Sequence, residues 1–218
     1  MNQYIDHTLL KPDTKKEEIE ILCQEAVLHN FASVCIHPHF VKLASTVLID
    51  KSPKICTVIG FPLGQNTTAT KIFEAKDAIQ NGADEIDMVI NISLLKDKSY
   101  ESLVREINDI KKVIGNRILK VIVEISLLTD EELAKISQIV SESDADYIKT
   151  STGFGAHGAT IEAVKIMRNN ISKDTLIKAS GGIRDIETAK KYIDLGVSRL
   201  GTSSGVEIIE GKISDKSY

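Results

Sequence analysis

The chain has 218 residues, 42% of them apolar and 27% charged, which is ordinary for a soluble globular protein and enough to bury a sizeable core. Its 27 Lys and Arg against 31 Asp and Glu give a net charge of -4, which argues against a nucleic-acid partner or a polybasic membrane contact. No stretch approaches the ~18 uninterrupted apolar residues of a membrane helix, and no basic segment followed by an apolar core opens the chain, so no secretory signal is expected.

Residues 4–8 form the first strand candidate, short and polar. Thr14-Lys15-Lys16-Glu17 then has capping-box spacing and opens a helix with Ile19, Leu22, Ala26 and Val27 on one face. A strand over 33–37, a helix near 40–50 and a strand over 55–60 follow. The segment from Thr68 carries Ile72, Ala75 and Ile79 at helical spacing and stops at Asn81-Gly82, where glycine supplies a left-handed cap. Next come a strand over 85–91, a helix near 100–114 and a strand over 118–124. Thr129-Asp130-Glu131-Glu132 is a second capping box, followed by Leu133, Ile136 and Val140. A strand over 146–151, a helix near 159–170 and a strand over 176–180 continue the alternation. Asp185 caps a helix ending near Gly196, and a strand over 198–202 and a helix near 204–210 complete it. Residues 211–218 are mostly polar and are expected to form a flexible tail.

Runs such as Met88-Val89-Ile90 and Val121-Ile122-Val123 are apolar at consecutive positions, the pattern of strands covered on both faces of a parallel sheet. Eight strand–helix units of roughly 25–30 residues, with no linker between them, predict a single α/β domain over 1–218, a closed (β/α)8 TIM barrel. An open doubly wound sheet is the alternative if residues 4–8 are not a strand. The scattered Cys23, Cys35 and Cys56 fit reduced thiols in a cytoplasmic protein rather than a disulfide framework.

In such a barrel the chemistry sits at the C-terminal strand ends and the loops beyond them. Those positions hold Asp6, Thr8, Cys35, His37, Asp87, Asn91, Glu124, Lys149 to Ser151, Lys178, Ser180 and Gly201 to Ser204. Lys149 and Lys178 stand late in apolar strands, where lysine is excluded unless paired, and Asp87 or Glu124 could pair with them. Two ammonium groups close together oppose each other's protonation. Bringing one lysine from ~10.4 to about 7 takes roughly 4–5 kcal/mol, which burial and a like charge can supply. A neutral lysine amine attacks carbonyls and forms a Schiff base, an electron sink that permits carbon–carbon cleavage without a metal. Asp87 can neutralise a lysine, shuttle a proton, or both.

Ser180-Gly181-Gly182-Ile183-Arg184 and Gly201-Thr202-Ser203-Ser204-Gly205 follow the last two strands, where barrels often hold phosphate on backbone N–H groups. Thr152-Gly153 adds a further backbone donor. A sugar-phosphate sensor would use the glycine loops but not the two buried lysines. A metal-dependent hydrolase is superficially suggested by His37-x-His39 with His7 and His157, but the last strand lacks the acidic residue such a barrel needs.

Several blocks along the chain carry a family resemblance. They are Asp6-His7-Thr8-Leu9-Leu10-Lys11-Pro12, Val34-Cys35-Ile36, Val58-Ile59-Gly60-Phe61-Pro62-Leu63-Gly64, the run from Gly82 to Asn91, Ile148-Lys149-Thr150-Ser151-Thr152-Gly153, the run from Lys178 to Arg184, and the run from Gly201 to Gly205. The sequence resembles the deoxyribose-phosphate aldolases, class I aldolases that work through a lysine Schiff base. The resemblance implies Lys149 as the Schiff-base lysine, Lys178 as the lysine that lowers its pKa, and Asp87 in the proton relay. Tyr218, the terminal residue, is implied to help move the proton at the acetaldehyde methyl. Substrate contacts are implied at Thr8, Cys35, Thr150 and Thr152, and phosphate contacts at Gly153, Gly181, Gly182, Gly201, Ser203 and Ser204. The implied reaction is reversible cleavage of 2-deoxy-D-ribose 5-phosphate to acetaldehyde and D-glyceraldehyde 3-phosphate by a cytoplasmic homodimer with no metal or cofactor. The sequence departs from the family at Glu124-Ile125-Ser126, where relatives read Glu-Thr and a small residue, and at Phe154, where some have Lys. The first puts a hydrogen bond near Glu124 in doubt; the second shifts phosphate binding toward backbone amides.

Overall fold

Strands that are apolar on consecutive positions must be covered on both faces, and closing the sheet leaves no edge to protect. A computed structural model, describing residues 1–214, takes that solution. The strands β1 (Ile5–Leu9), β2 (Ser33–Ile36), β3 (Lys54–Ile59), β4 (Glu85–Val89), β5 (Ile118–Ile122), β6 (Tyr147–Lys149), β7 (Leu176–Ser180) and β8 (Arg199–Thr202) form a closed barrel in chain order. Every neighbouring pair is parallel, and β8 returns to pair with β1. The first strand is therefore real despite its polarity, and the open sheet is excluded.

Around the barrel lie α1 (Lys16–Leu28), α2 (Val41–Val47), α3 (Thr68–Gln80), α4 (Ile92–Lys96), α5 (Tyr100–Ile114), α6 (Asp130–Glu142), α7 (Ile161–Asn170), α8 (Ile186–Asp194) and α9 (Gly205–Ile209). The second capping box forms as expected: Glu132 N–H donates to Thr129 Oγ1 at 3.2 Å, and Thr129 N–H to Glu132 Oε2 at 2.9 Å. The Asp185 cap forms too, accepting from Thr188 N–H at 2.8 Å.

The first box is a correction. The helix begins one residue later, with Lys15 as its cap and Glu18 accepting the Lys15 N–H at 2.7 Å; Thr14 donates instead to Lys11 O at 2.8 Å. Five strands, β2 to β6, also end before their expected limits. Asn91 lies beyond β4 and caps the unexpected helix α4, its side chain accepting from Ser93 and Leu94.

Alternation along each strand separates two environments. Ile86, Met88, Leu119, Val121, Ile148, Ile177, Ala179 and Leu200 pack in the main hydrophobic cluster between sheet and helices. The intervening side chains face inward, and most are polar or charged. A small apolar cluster of Leu10, Cys35, Cys56 and Val58, with Phe61 against it, occupies one side of the interior. Residues 211–214 follow α9, and Ser214, buried, donates its N–H to Arg184 O at 3.1 Å. Tyr218, with the rest of the expected tail from 215 on, lies outside the described residues.

Candidate active site

Asp87 stands at the middle of β4 with its carboxylate completely buried. Oδ2 accepts from Lys149 Nζ and from Lys178 Nζ, each at 2.8 Å. Oδ1 accepts from Lys120 Nζ at 2.9 Å and from the Cys56 thiol at 3.1 Å. The two lysines singled out in the sequence thus meet on one oxygen. They stand directly opposite each other in the β6–β7 ladder, so their meeting follows from strand register.

The pair belongs to a larger cluster. Lys178 Nζ also lies 2.5 Å from Asp6 Oδ2. Lys120 Nζ lies 2.6 Å from Glu85 Oε2 and 3.8 Å from Asp6 Oδ2. Arg199 bridges Asp6 and Glu85, the latter at 2.6 Å. Among the described residues Lys120, Lys149, Lys178 and Arg199 face three carboxylates, Asp6, Glu85 and Asp87, so basic side chains outnumber acidic ones in the cluster.

Lys120, Glu85 and Arg199 were missed from the sequence. Lys120 carries the same signal as the other two lysines, a lysine inside an apolar run, Ile118-Leu119-Lys120-Val121-Ile122. Glu85 and Arg199 stand at strand starts and read as boundary polarity. Of the two carboxylates offered as partners for the lysines, Asp87 pairs with both and Glu124 with neither. Glu124 sits beyond β5 in the left-handed region at φ 52°, turned away from the lysines. Its carboxylate instead receives the Thr152 N–H at 3.2 Å, the Thr152 hydroxyl, and the Ser126 hydroxyl at 3.2 Å. Ser126 thus supplies a hydrogen bond at Glu124 despite the sequence departure there.

Burial opposes charge on Asp87, but Lys120, Lys149 and Lys178 outweigh it and hold the carboxyl well below the usual carboxylate range. Burial likewise opposes charge on Lys178, and Asp6 and Asp87 reverse this, raising it well above the usual lysine range. Lys120 is raised in the same way, with Asp87 as the largest opposing charge. These two ammonium groups are therefore fixed charges at neutral pH. Because Asp87 is lowered relative to the unfolded chain, its contribution to stability is present above the ordinary carboxylate range and is lost as pH falls through the lower folded value.

Cys35 and Cys56 are opposite residues of β2 and β3. The adjoining Cys56, with Lys178 and Lys149, brings the Cys35 thiol down to about 7 against the effect of burial, while burial pushes Cys56 up. With Asp87 they form the one compact trio of possible metal ligands among the described residues, their ligand atoms within 4.8 Å of one another. The histidines are dispersed. His7 pairs with Glu25, His37 donates to Leu10 O at 2.8 Å, His39 packs on Phe40, and His157 contacts Gly158 O.

The remaining sequence candidates line the rim. Thr8 donates to Asp6 O at 2.7 Å, and Thr150 braces the β6–β7 junction, accepting Ser180 N–H at 3.0 Å. Gly153, Gly181 and Gly182 have positive φ of 92°, 86° and 79°, which turns loop amides in ways a side chain would resist. Ser203 lines a cavity of about 310 Å³ with Thr8, His7, Lys11 and Glu25. Ser204 donates its N–H to Thr202 Oγ1 at 3.0 Å. Phe154 packs edge-on against Phe61, ring centroids 5.4 Å apart, and is 46% exposed.

A closed barrel whose rim gathers paired lysines around one carboxylate, with glycine loops after β7 and β8, defines an enzyme of the (β/α)8 class equipped for carbonyl chemistry. The model of the DeoC/LacD family aldolases matches residues 1–209. Deoxyribose-phosphate aldolase of Staphylococcus carnosus (strain TM300) is 52% identical over 216 residues, covering 99% of this chain and 98% of that one. The enzyme of the same name from Clostridioides difficile (strain 630) is 54% identical over 208 residues, covering 95% and 94%. Among solved structures, an aldolase called QR15 superposes with a TM-score of 0.92 at 44% identity, covering 96% of this chain and 94% of that one. A tetrameric deoxyribose phosphate aldolase from Aeropyrum pernix gives 0.87 at 32%, covering 96% and 89%. The chain belongs to the DeoC/LacD aldolase family.

The cluster generates a stability prediction. Lys120→Met leaves Glu85 and one Asp87 oxygen without their ammonium partner inside the barrel. Urea unfolding is expected to show a loss of about 3–5 kcal/mol, the scale of a broken buried ion pair. A loss under about 1 kcal/mol, the scale of an exposed ion pair, would mean that the cluster does not rely on this lysine.

Proposed function

We propose that the chain catalyses reversible cleavage of 2-deoxy-D-ribose 5-phosphate to acetaldehyde and D-glyceraldehyde 3-phosphate, with Lys149 as the Schiff-base lysine. The observation that carries this reading is the single Asp87 oxygen shared by Lys149 and Lys178 at 2.8 Å each. Lys178 has a second carboxylate, Asp6, and stays charged; Lys149 has Asp87 alone among the described residues. The amine of Lys149 adds to C1 of the open-chain sugar and water leaves, giving the imine. The C2–C3 bond then breaks, its electron pair passing through C2 toward the imine nitrogen, and the C3 hydroxyl gives up its proton as glyceraldehyde 3-phosphate departs. The resulting enamine takes a proton at C2, and water releases acetaldehyde.

Asp87, with Lys178 beside it, relays the proton at the C3 oxygen. Tyr218 assists the proton at C2. Thr8, Cys35, Thr150 and Thr152 surround the carbon chain. Gly153, Gly181, Gly182, Gly201, Ser203 and Ser204 receive the phosphate, mainly through loop amides; the Ser204 N–H is given to Thr202 Oγ1, which leaves its hydroxyl for the anion. The enzyme works in the cytoplasm as a homodimer. Buried, unbridged cysteines and an apolar seam between α1 and α2 at Val27, Leu28 and Val47 support that reading. Among the described residues no helix is long and apolar enough to cross a membrane.

Borohydride reduction in the presence of acetaldehyde is expected to leave a stable adduct that peptide mapping places on Lys149; an adduct on Lys178 reverses the two roles. Lys178→Leu is expected to lower turnover at neutral pH by several orders of magnitude and to recover part of it at alkaline pH, because the neighbouring charge that opposes protonation of Lys149 is gone. A pH profile of unchanged shape would assign Lys178 another role. Ser203→Asp places a negative charge in the phosphate loop. It is expected to weaken 2-deoxyribose 5-phosphate far more than unphosphorylated 2-deoxyribose, and equal losses would put the phosphate elsewhere.

A further inference from the structure

Between the lysines and the glycine loop, the inner wall carries a hydroxyl that no other group satisfies among the described residues. Ser180 ends β7 two residues beyond Lys178, so the strand's two-residue period puts both side chains on the inner face. Its backbone is clamped: the N–H donates to Thr150 Oγ1 at 3.0 Å, and the carbonyl accepts the Ala159 N–H at 2.9 Å and the Thr150 hydroxyl at 3.3 Å. The Oγ itself is buried and without a hydrogen-bond partner. Opposite it on β8 is Gly201. A Cβ there would collide with the Ser180 hydroxyl and lie 3.1 Å from Cε of Lys178, so hydroxyl and lysine stem flank the same gap.

The neighbouring threonine hydroxyls are spent within the chain. Thr152 donates to Glu124, Thr8 to Asp6 O, and Thr150 to the Ser180 carbonyl. Ser151 and Ser204 also have hydroxyls without a partner among the described residues, but Ser151 lies past the end of β6, where the strand period no longer fixes its direction, and Ser204 lies past the end of β8 among the loop residues assigned to the phosphate. A buried hydroxyl left unpaired costs free energy until a partner arrives, and a serine can both donate and accept.

We propose that the Ser180 hydroxyl is a specificity-determining contact that hydrogen-bonds the C4 hydroxyl of the sugar phosphate, next to the phosphorylated carbon. The inference rests on the reaction proposed above. With C1 on Lys149 and the phosphate on the glycine loops, C3 must present its oxygen to Asp87 and Lys178. C4 then carries the one remaining hydroxyl, and it crosses the stretch of wall between Lys178 and Gly181 that Ser180 occupies.

The test is aldol addition of acetaldehyde to two acceptors, D-glyceraldehyde 3-phosphate and 3-phosphopropanal, which differ only in that hydroxyl. The wild type is expected to favour the hydroxylated acceptor in kcat/KM by about tenfold, the scale of one hydrogen bond. Ser180→Ala is expected to lose that preference, with the deoxy acceptor changed less than about twofold and borohydride trapping at Lys149 intact. Because the hydroxyl has no partner in the ligand-free protein, the variant should melt at or above the wild-type temperature. Equal losses on both acceptors, no loss, or a selective loss in Ser151→Ala instead would each overturn the assignment. So would a wild type indifferent to the hydroxyl, a measurement that needs no variant. A wild type that adds acetaldehyde to neither acceptor overturns the aldolase reading itself, and this inference with it.

Discussion

One buried carboxylate, that of Asp87, receives three lysine ammonium groups and a thiol. The rest of the site depends on it. Ions taken out of water carry a penalty of several kcal/mol each, recovered only when geometry is close and remaining donors are satisfied. Here Asp6, Asp87 and Glu85 each touch at least two cations, and Lys120 touches all three carboxylates. The stability needed to hold such a cluster comes from the other face of the same strands, where Ile86, Met88, Val121 and their neighbours pack beneath the helices. A slip of one residue in any ladder would exchange these faces, exposing the lysine to the apolar layer and an isoleucine to the charges. The charged interior and the apolar exterior therefore specify the same register.

Within the cluster the cations are not equivalent. Lys120 and Lys178 are each held by two or more carboxylates and keep their protons, so they act as a fixed field. Lys149 meets Asp87 alone among the described residues, and it is the lysine at the rim end of its strand. Among the described residues four basic side chains face three carboxylates, so the cluster balances when one of the four is neutral. In the proposed reaction that one is Lys149, whose proton the neighbouring ammonium groups oppose.

How much of this was legible in the sequence depended on whether the signal was local. The eight strands were readable because consecutive apolar residues and caps such as Thr129 and Asp185 are short-range features. Lys149, Lys178 and Asp87 were readable because a charge inside an apolar run is an anomaly wherever it occurs. Lys120 shows the same anomaly but stands at the middle of β5, away from the strand ends where a barrel carries its chemistry. Glu85 and Arg199 were not readable: at a strand start a charge is unremarkable, and only closure of β8 onto β1 and the barrel's curvature bring Arg199 to Asp6 and Glu85. The Cys35–Cys56 pairing rests on ladder register between β2 and β3, which composition does not encode. Glu124 pairs with neither lysine for a backbone reason. Its left-handed conformation turns the carboxylate toward Thr152, away from the lysines that strand alternation would have given it.

The loops that complete the site are coupled as tightly as the strands below them. Gly158, in the loop after β6, packs so closely on Gly181, after β7, that a Cβ on either would meet the other's backbone. Ala159 N–H donates to both Ser180 O and Gly181 O, at 2.9 and 3.2 Å. The loop that follows Lys149 is thereby fastened to the loop proposed to take the phosphate. Glu124 pins the other end of the same loop at Thr152. In the proposed reaction these contacts fix the distance from the end of β6, which carries Lys149, to the loop proposed for the phosphate. A rigid separation selects substrates by the number of carbons between carbonyl and phosphate, since a shorter or longer chain could reach only one end. Effective orientation of this kind lowers a barrier only when both ends are held at once. In the proposed reaction Gly158 acts on specificity through this packing alone, and Gly181 acts both through it and as a phosphate contact.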